Sequence, residues 1–222
     1  MTTRLIIPCA GEQTRWQNYL GLAKYMAPVD GEPLLEYTVR KFREKCPELE
    51  IVASWNPYRP VIEIPGVVCS PVFGEQLQQH YKLLSSLQHW SETGRTFILF
   101  GDVFFSDDAM DAFLAVTSDA VEWFGRINSS QHGLDSQEIF GLTFPATQHL
   151  ALIKAAMLAM QDLLRGNAAD AKAWETYRRL VGLPKNGEWP GPNFHELNDL
   201  SEDFDTPEEY EHWRKVRSLV EV

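Results

Sequence analysis

Cysteine is scarce in this chain, and none of it is arranged for metal binding. Cys9, Cys46 and Cys69 are the only three, with no C-x-x-C spacing, which argues against a zinc site. An odd count also fits no disulfide framework and points to a reducing compartment. Long apolar runs are missing as well. No stretch approaches 18 apolar residues, and the opening MTTRLIIPC enters a strand with no apolar leader segment, so a soluble, cytoplasmic protein without membrane contact is expected. Positive charge is in deficit, with 20 Lys and Arg against 31 Asp and Glu for a net charge of −11. Such a surface repels a phosphate backbone, which excludes non-specific nucleic-acid binding by the whole molecule but leaves room for a local basic pocket. Neither an internal repeat nor a low-complexity segment is present.

What the chain does have is core-forming material. At 222 residues, 44% hydrophobic and 12% aromatic, it can bury a sizeable core. Strands are expected at Arg4–Cys9, Leu49–Trp55, Val67–Cys69, Thr96–Phe100, Ala120–Ile127 and Glu138–Phe144. Helical spacing falls between them, with Leu35, Val39 and Phe42 on one face and Leu77, Tyr81 and Leu84 on another. A longer stripe of Leu150, Ile153, Met157, Met160 and Leu164, continued by Trp174, Tyr177 and Val181, reads as core packing. Alternating strands and helices imply an α/β fold: a single Rossmann-like three-layer domain over residues 1–222, with a mostly parallel mixed sheet and helices on both faces. Residues 145–193 read as a helical and loop-rich insertion before a C-terminal return to the sheet. In such sheets ligands sit beyond the C-terminal strand ends.

Three stretches carry candidate chemistry. IIPCAGEQTRW (6–16) hands an apolar strand to a small-residue turn, the arrangement that offers backbone N–H groups to a phosphate. Ala10, Gly11, Glu12 and Gln13 would form that turn, and Arg15 and Lys24 would reach a common anion if the following loop folds over it. Next, the run ILFGDVFF ends a strand at Gly101 and Asp102, where a carboxylate is well placed to hold a divalent cation against phosphate oxygens. Finally, DFDTPEEY (203–210) puts Asp203 and Asp205 at i, i+2, so that one could complete a metal site with Asp102. Thr206 to Glu209 read as a helix cap and first turn on their own account. His195, in NFHELND, lies beside this last segment and is a candidate acceptor contact.

The ordered string Ala10, Gly11 and Arg15, then Lys24, Pro28, Val29, Gly31, Pro33, Leu34 and Leu35 resembles the opening A-A-G-x-G-x-R and P-K-x-L-x-P-V-x-G-x-P-L-L of the nucleotidyltransferase superfamily with the glycosyltransferase-A type fold. Sugar-nucleotide pyrophosphorylases, cytidylyltransferases and the molybdenum-cofactor guanylyltransferase belong to that group. Here Gln13 replaces the second glycine and Ala23 replaces the proline before Lys24. The resemblance implies a nucleotide-diphospho-sugar transferase type of fold. It implies Mg²⁺ (or Mn²⁺) on Asp102 with Asp203 or Asp205, Gly74 against the base, and Glu138 near the acceptor. By the same likeness, a nucleoside monophosphate passes from an NTP to a phosphorylated small molecule, with pyrophosphate released. The alternative on the same fold is a glycosyltransferase that moves a sugar from a nucleotide sugar to a hydroxylated acceptor, whether protein, nucleic acid or small molecule. Asp102 stands in GDV and not in the D-x-D usual of such enzymes, which favours nucleotidyl transfer.

Overall fold

The computed structural model of the protein describes residues 2–11, 13–59, 63–72, 83–128, 130, 133–134, 138–166, 173–184 and 190–220. Its elements run in the order β1 (Arg4–Pro8), β2 (Pro28–Val29), β3 (Glu32–Pro33), α1 (Leu34–Lys45), β4 (Glu50–Trp55), β5 (Val68–Pro71), β6 (Arg95–Leu99), β7 (Val103–Phe104) and α2 (Asp107–Leu114). They continue through β8 (Glu122–Arg126), β9 (Glu138–Pro145), α3 (His149–Leu164), α4 (Ala173–Val181), β10 (Phe194–Glu196), β11 (Glu202–Asp203) and α5 (Pro207–Val220).

Seven strands form one sheet in the order β10-β8-β9-β6-β1-β4-β5. β1 pairs in parallel with β4 and β6, β4 with β5, and β8 with β10. Only β9 runs against its neighbours β6 and β8. β1, β4 and β6 read as nearly continuous apolar runs because both faces of the sheet are covered there, so successive side chains enter different cores. Leu5 and Ile7, Ile51 and Ala53, and Phe97 and Leu99 join α1, α2 and α5 in one cluster, with Phe42, Phe113 and Trp213 among its large members. Ile6, Val52 and Ile98 enter the other, with Trp123, Leu142, Phe144, Leu152 of α3 and Tyr177 of α4. The expected three-layer mixed sheet is thus the observed one, and the stretch 145–193 helps cover its second face. Among the described residues no helix is long and apolar enough to cross a membrane.

One expectation is corrected. Of the α3 stripe Leu150, Ile153, Met157, Met160 and Leu164, Ile153 packs against the core, but Leu150, Met157 and Leu164 face outward, at 62%, 49% and 79% exposure, while Leu152, Ala155, Ala156 and Ala159 are buried. The main neighbour of α3 is α4, and a helix apolar nearly all round offers more than one stripe to spacing arguments. Trp174 and Tyr177 do pack inward, Trp174 stacking on Phe194 and Tyr177 meeting Trp123 edge-on. The helix expected around Leu77 and Tyr81 lies outside the described residues.

Candidate active site

At the C-terminal ends of β1 and β6 the backbone is held tightly. Cys9 N donates to Ser54 O at 2.7 Å and Gly101 N donates to Pro8 O at 3.2 Å, so β1 leaves the sheet directly beside the turn carrying Asp102. Glycine is required at that turn, because a Cβ on Gly101 would stand 2.5 Å from Cys9 Sγ and 2.9 Å from Pro8 O. After β1 the chain loops through a turn anchored by Trp16, which is fully buried, donates from Nε1 to Leu22 O at 2.8 Å and packs edge-on against Tyr19 and Tyr210. Gln13 Oε1 accepts from Lys24 N at 3.0 Å, so the residue that replaces a glycine fastens the two ends of the loop together.

That loop brings Lys24 to the C-terminal ends of β1 and β6, where it is only 3% exposed. Its Nζ pairs with Asp205 Oδ1 and lies 3.5 Å from Asp102 Oδ2. Arg15 Nη2 pairs with the other oxygen of Asp205. The two cations expected to share an anion therefore do meet on one, the Asp205 carboxylate. Pro8, Cys9, Gly11, Gln13, Lys24, Tyr25, Gly101 and Asp102 line a small cavity at the same place.

Asp205 arrives there on the return segment. β11 pairs antiparallel with β7, setting Asp203 opposite Val103, and Phe204 N donates to Asp102 O at 2.9 Å while its ring is fully buried. Beyond it, Thr206 and Glu209 cap α5 reciprocally: Glu209 N donates to Thr206 Oγ1 at 3.2 Å and Thr206 N to Glu209 Oε2 at 2.7 Å. Asp203 has other carboxylates about it, Asp102 among them. Burial, reinforced by the negative charges of Glu138, Glu202, Asp102 and Glu209, holds its carboxyl well above the usual carboxylate range. The Glu202 carboxyl is pushed up to about 7 by burial, against the pull of Arg126. Among the described residues no three of His, Cys, Asp and Glu group as a metal-binding set. What the structure assembles is the pair Asp102 and Asp205 around one positively charged atom, and two hard carboxylates suffice for Mg²⁺, which takes its remaining ligands from water and substrate phosphates. The donor set fits such an ion.

A sequence model of the MobA-like NTP transferase domain matches residues 5–180. The chain belongs to that family. No curated protein matches in sequence. Among solved structures, the inositol-1-phosphate CTP transferase from T. maritima is 15% identical, with 97% of this chain and 96% of that one covered at a TM-score of 0.58. The 2-C-methyl-D-erythritol 4-phosphate cytidylyltransferase from Thermus thermophilus is 17% identical over the whole of both chains, at 0.60. CTP:phosphocholine cytidylyltransferase from Streptococcus pneumoniae is 15% identical over 99% of this chain and 100% of that one, at 0.55. Identities this low establish a shared fold. The family match agrees with the expectation of a nucleotidyltransferase domain.

Of the remaining expected site residues of this NTP transferase, Glu12 and Gly74 lie outside the described residues. Ala10 and Gly11 follow β1 as foreseen. Glu138 begins β9 at the same end of the sheet, close enough to Asp203 for its charge to act there. His195 is not brought to the carboxylates. It lies on the edge strand β10, four strands from β1 and so about 19 Å away, with Nε2 2.9 Å from Glu122 Oε2 and its ring stacked on Phe124. Arg126 was missed by sequence reasoning. It ends β8 at 1% exposure beneath the return segment, and a single arginine inside WFGRI carries no signal of that role.

Proposed function

We propose that the protein transfers a nucleoside monophosphate from an NTP to a phosphorylated small molecule, a sugar phosphate or a similar phosphorylated alcohol, and releases pyrophosphate. The observation that carries this reading is the meeting of Lys24, Arg15, Asp102 and Asp205 at the C-terminal end of β1 and β6. Two cations and two carboxylates in one place match a reaction in which negative phosphates must be gripped and the charge developing between them neutralised. An acceptor phosphate oxygen attacks the α-phosphorus in line, and the bond from that phosphorus to the bridging oxygen of the β-phosphate breaks. Lys24 Nζ and Arg15 Nη2 exchange the Asp205 carboxylate for phosphate oxygens and steady the leaving pyrophosphate. Asp102 and Asp205 would hold Mg²⁺, which supplies positive charge beside the α-phosphate. Positioning accomplishes the transfer, and no protein nucleophile is required. The acceptor class draws support from the solved relatives, three of which are named for transfer to inositol 1-phosphate, methylerythritol 4-phosphate and phosphocholine.

The test pairs binding with turnover. Thermal stability is measured with Mg²⁺ and each of the four NTPs, the nucleoside diphosphates and common nucleotide sugars. A ligand at a hundredfold excess over its Kd adds about 2.7 kcal/mol, a rise of roughly 5–10 °C at this size. Pyrophosphate release is then followed with the stabilising NTP and a panel of phosphorylated alcohols. Stabilisation by one NTP with acceptor-dependent pyrophosphate release, lost in Asp102→Ala, is the expected result. Stabilisation by nucleotide sugars alone, with sugar transfer and no pyrophosphate, would overturn it in favour of glycosyl transfer.

A further inference from the structure

Arg126 is a guanidinium sealed inside the protein, and most of its hydrogen bonds go to backbone. Nε donates to Leu197 O at 3.2 Å, Nη2 to Asp199 O at 3.0 Å and to Ser201 O, and Nη1 to Glu202 Oε2 at 2.9 Å. Four of its five N–H groups are therefore accounted for, three of them on main-chain carbonyls of a single five-residue stretch. A buried arginine kept only for charge balance needs its carboxylate. One that also collects the carbonyls of Leu197, Asp199 and Ser201 sets the shape of a bend.

The same bend is fastened on its other side to the segment that follows Asp102. Ser106 Oγ donates to Asp199 Oδ2 at 2.7 Å, Ser106 N donates to Ser201 Oγ at 3.0 Å, Ser201 N donates to Asp199 Oδ1 at 2.7 Å, and Trp213 Nε1 donates to Leu200 O at 3.0 Å. Immediately beyond it come Asp203, opposite Val103, and Asp205, on Lys24 and Arg15. The bend thus leads directly into β11 and the Phe204 N bond to Asp102 O, which carry the chain on to Asp205, and the groups bonded to Arg126, the carbonyls of Leu197, Asp199 and Ser201 and the carboxylate of Glu202, take no part in the proposed reaction.

We propose that Arg126 is a positioning residue for nucleotidyl transfer: its fork of bonds to residues 197–202 fixes the bend that delivers Asp203 and Asp205 to the site. The inference rests on the nucleotidyltransferase reading for its kinetic consequence only. Displacing Asp205 by about an ångström leaves nucleotide able to bind but misaligned, and such errors cost about 100-fold in rate.

Arg126→Lys and Arg126→Ala are compared with wild type by hydrogen exchange and by steady-state kinetics, each with and without added guanidinium ion. Lysine restores a positive charge near Glu202 but cannot span three carbonyls from one planar head. Both variants are expected to lose amide protection across 197–206 while β1 and β6 keep theirs. kcat should fall about 100-fold with KM for the NTP changed by less than about threefold. Guanidinium should recover activity at least tenfold in Arg126→Ala. Unchanged protection across 197–206 in Arg126→Lys, a variant that keeps the charge and tests the bend even if the alanine form does not fold, would overturn the proposal. So would a kcat that falls only with the folded fraction and does not respond to guanidinium. If wild-type protein transfers no nucleotide to any acceptor, the functional reading fails, and the exchange experiment still decides what Arg126 does to the bend.

Discussion

Replacing Gly101 by alanine tests whether the junction of β1 and β6 is as tight as the distances say. A Cβ there meets Cys9 Sγ at 2.5 Å, Pro8 O at 2.9 Å and Ile7 Cγ2 at 3.3 Å. Ordinary contact requires at least about 3.5 Å, so either the sulfur moves by about an ångström or the two strands part. Neither has room, since Ile7 is 1% and Cys9 5% exposed, and Gly101 N is bonded to Pro8 O. Overpacking of this kind costs about 2–3 kcal/mol, which at this chain length lowers Tm by roughly 4–12 °C. Cys9→Ala alone should cost about 1 kcal/mol for the lost sulfur. Combined with Gly101→Ala it should give back about 1 kcal/mol, because the sulfur clash vanishes while the carbonyl clash stays. Calorimetry on the four proteins of this cycle measures every quantity. A Gly101→Ala midpoint within a degree of wild type would refute the reasoning, as would strict additivity in the double variant.

Lys24→Met leaves Asp102 and Asp205 facing one another without their shared cation, and urea unfolding at neutral pH should show a loss of about 1–3 kcal/mol, the range being reduced because both carboxylates keep some water. Ser106→Ala removes both the acceptor that caps α2 through Ala109 N at 3.1 Å and the bond to Asp199, and is expected to lower stability by about 1–2 kcal/mol in the same assay. His149 packs on Trp90 and Phe144, its Nε2 has no hydrogen-bond partner among the described residues, and burial holds its imidazole below the ordinary value. The folded state therefore binds fewer protons than the unfolded, so the stability His149 contributes is present above its unfolded pKa near 6.5 and is lost as pH falls from there through the depressed folded value; unfolding midpoints measured between pH 8 and 5 should decline less in His149→Phe.

Legibility in the sequence followed burial. β1, β4, β6 and β9 were visible because strands covered on both faces are apolar at most positions, and each appears within a residue or so of its expected bounds. β10 was not. As an edge strand of three residues with His195 and Glu196 exposed, it has no apolar run to announce it, and its place beside β8 is set by backbone pairing and by contacts distant in sequence, His195 on Phe124 and Glu122 and Phe194 on Trp174. β7 and β11, two residues each, are likewise products of tertiary pairing. The outward stripe of α3 misled for the opposite reason: apolar residues fill both sides of the helix, and the side that is buried, with Leu152, Ala155, Ala156 and Ala159, is chosen by fit.

At the site, residue types were readable but their partners were not. Arg15 and Lys24 read as candidate phosphate-binding cations, and Asp102 and Asp205 as candidate cation-binding carboxylates, each from its own short motif. That Asp205 joins them lies in contacts spanning 190 and 181 residues, which no local pattern encodes. The joining changes the physical picture. Were the cations and carboxylates separate, a bare nucleotide would meet free positive charge, and a divalent ion would meet free negative charge. Paired through Asp205, each group already has a partner, so either ligand alone must break an ion pair and strand one side of it. A nucleotide that arrives with its divalent ion supplies both replacements together, phosphate for Lys24 and Arg15, and positive charge for Asp102 and Asp205. Binding would then exchange partners with little uncompensated charge, and the bend shaped by Arg126 would bear on it by holding Asp205 in place.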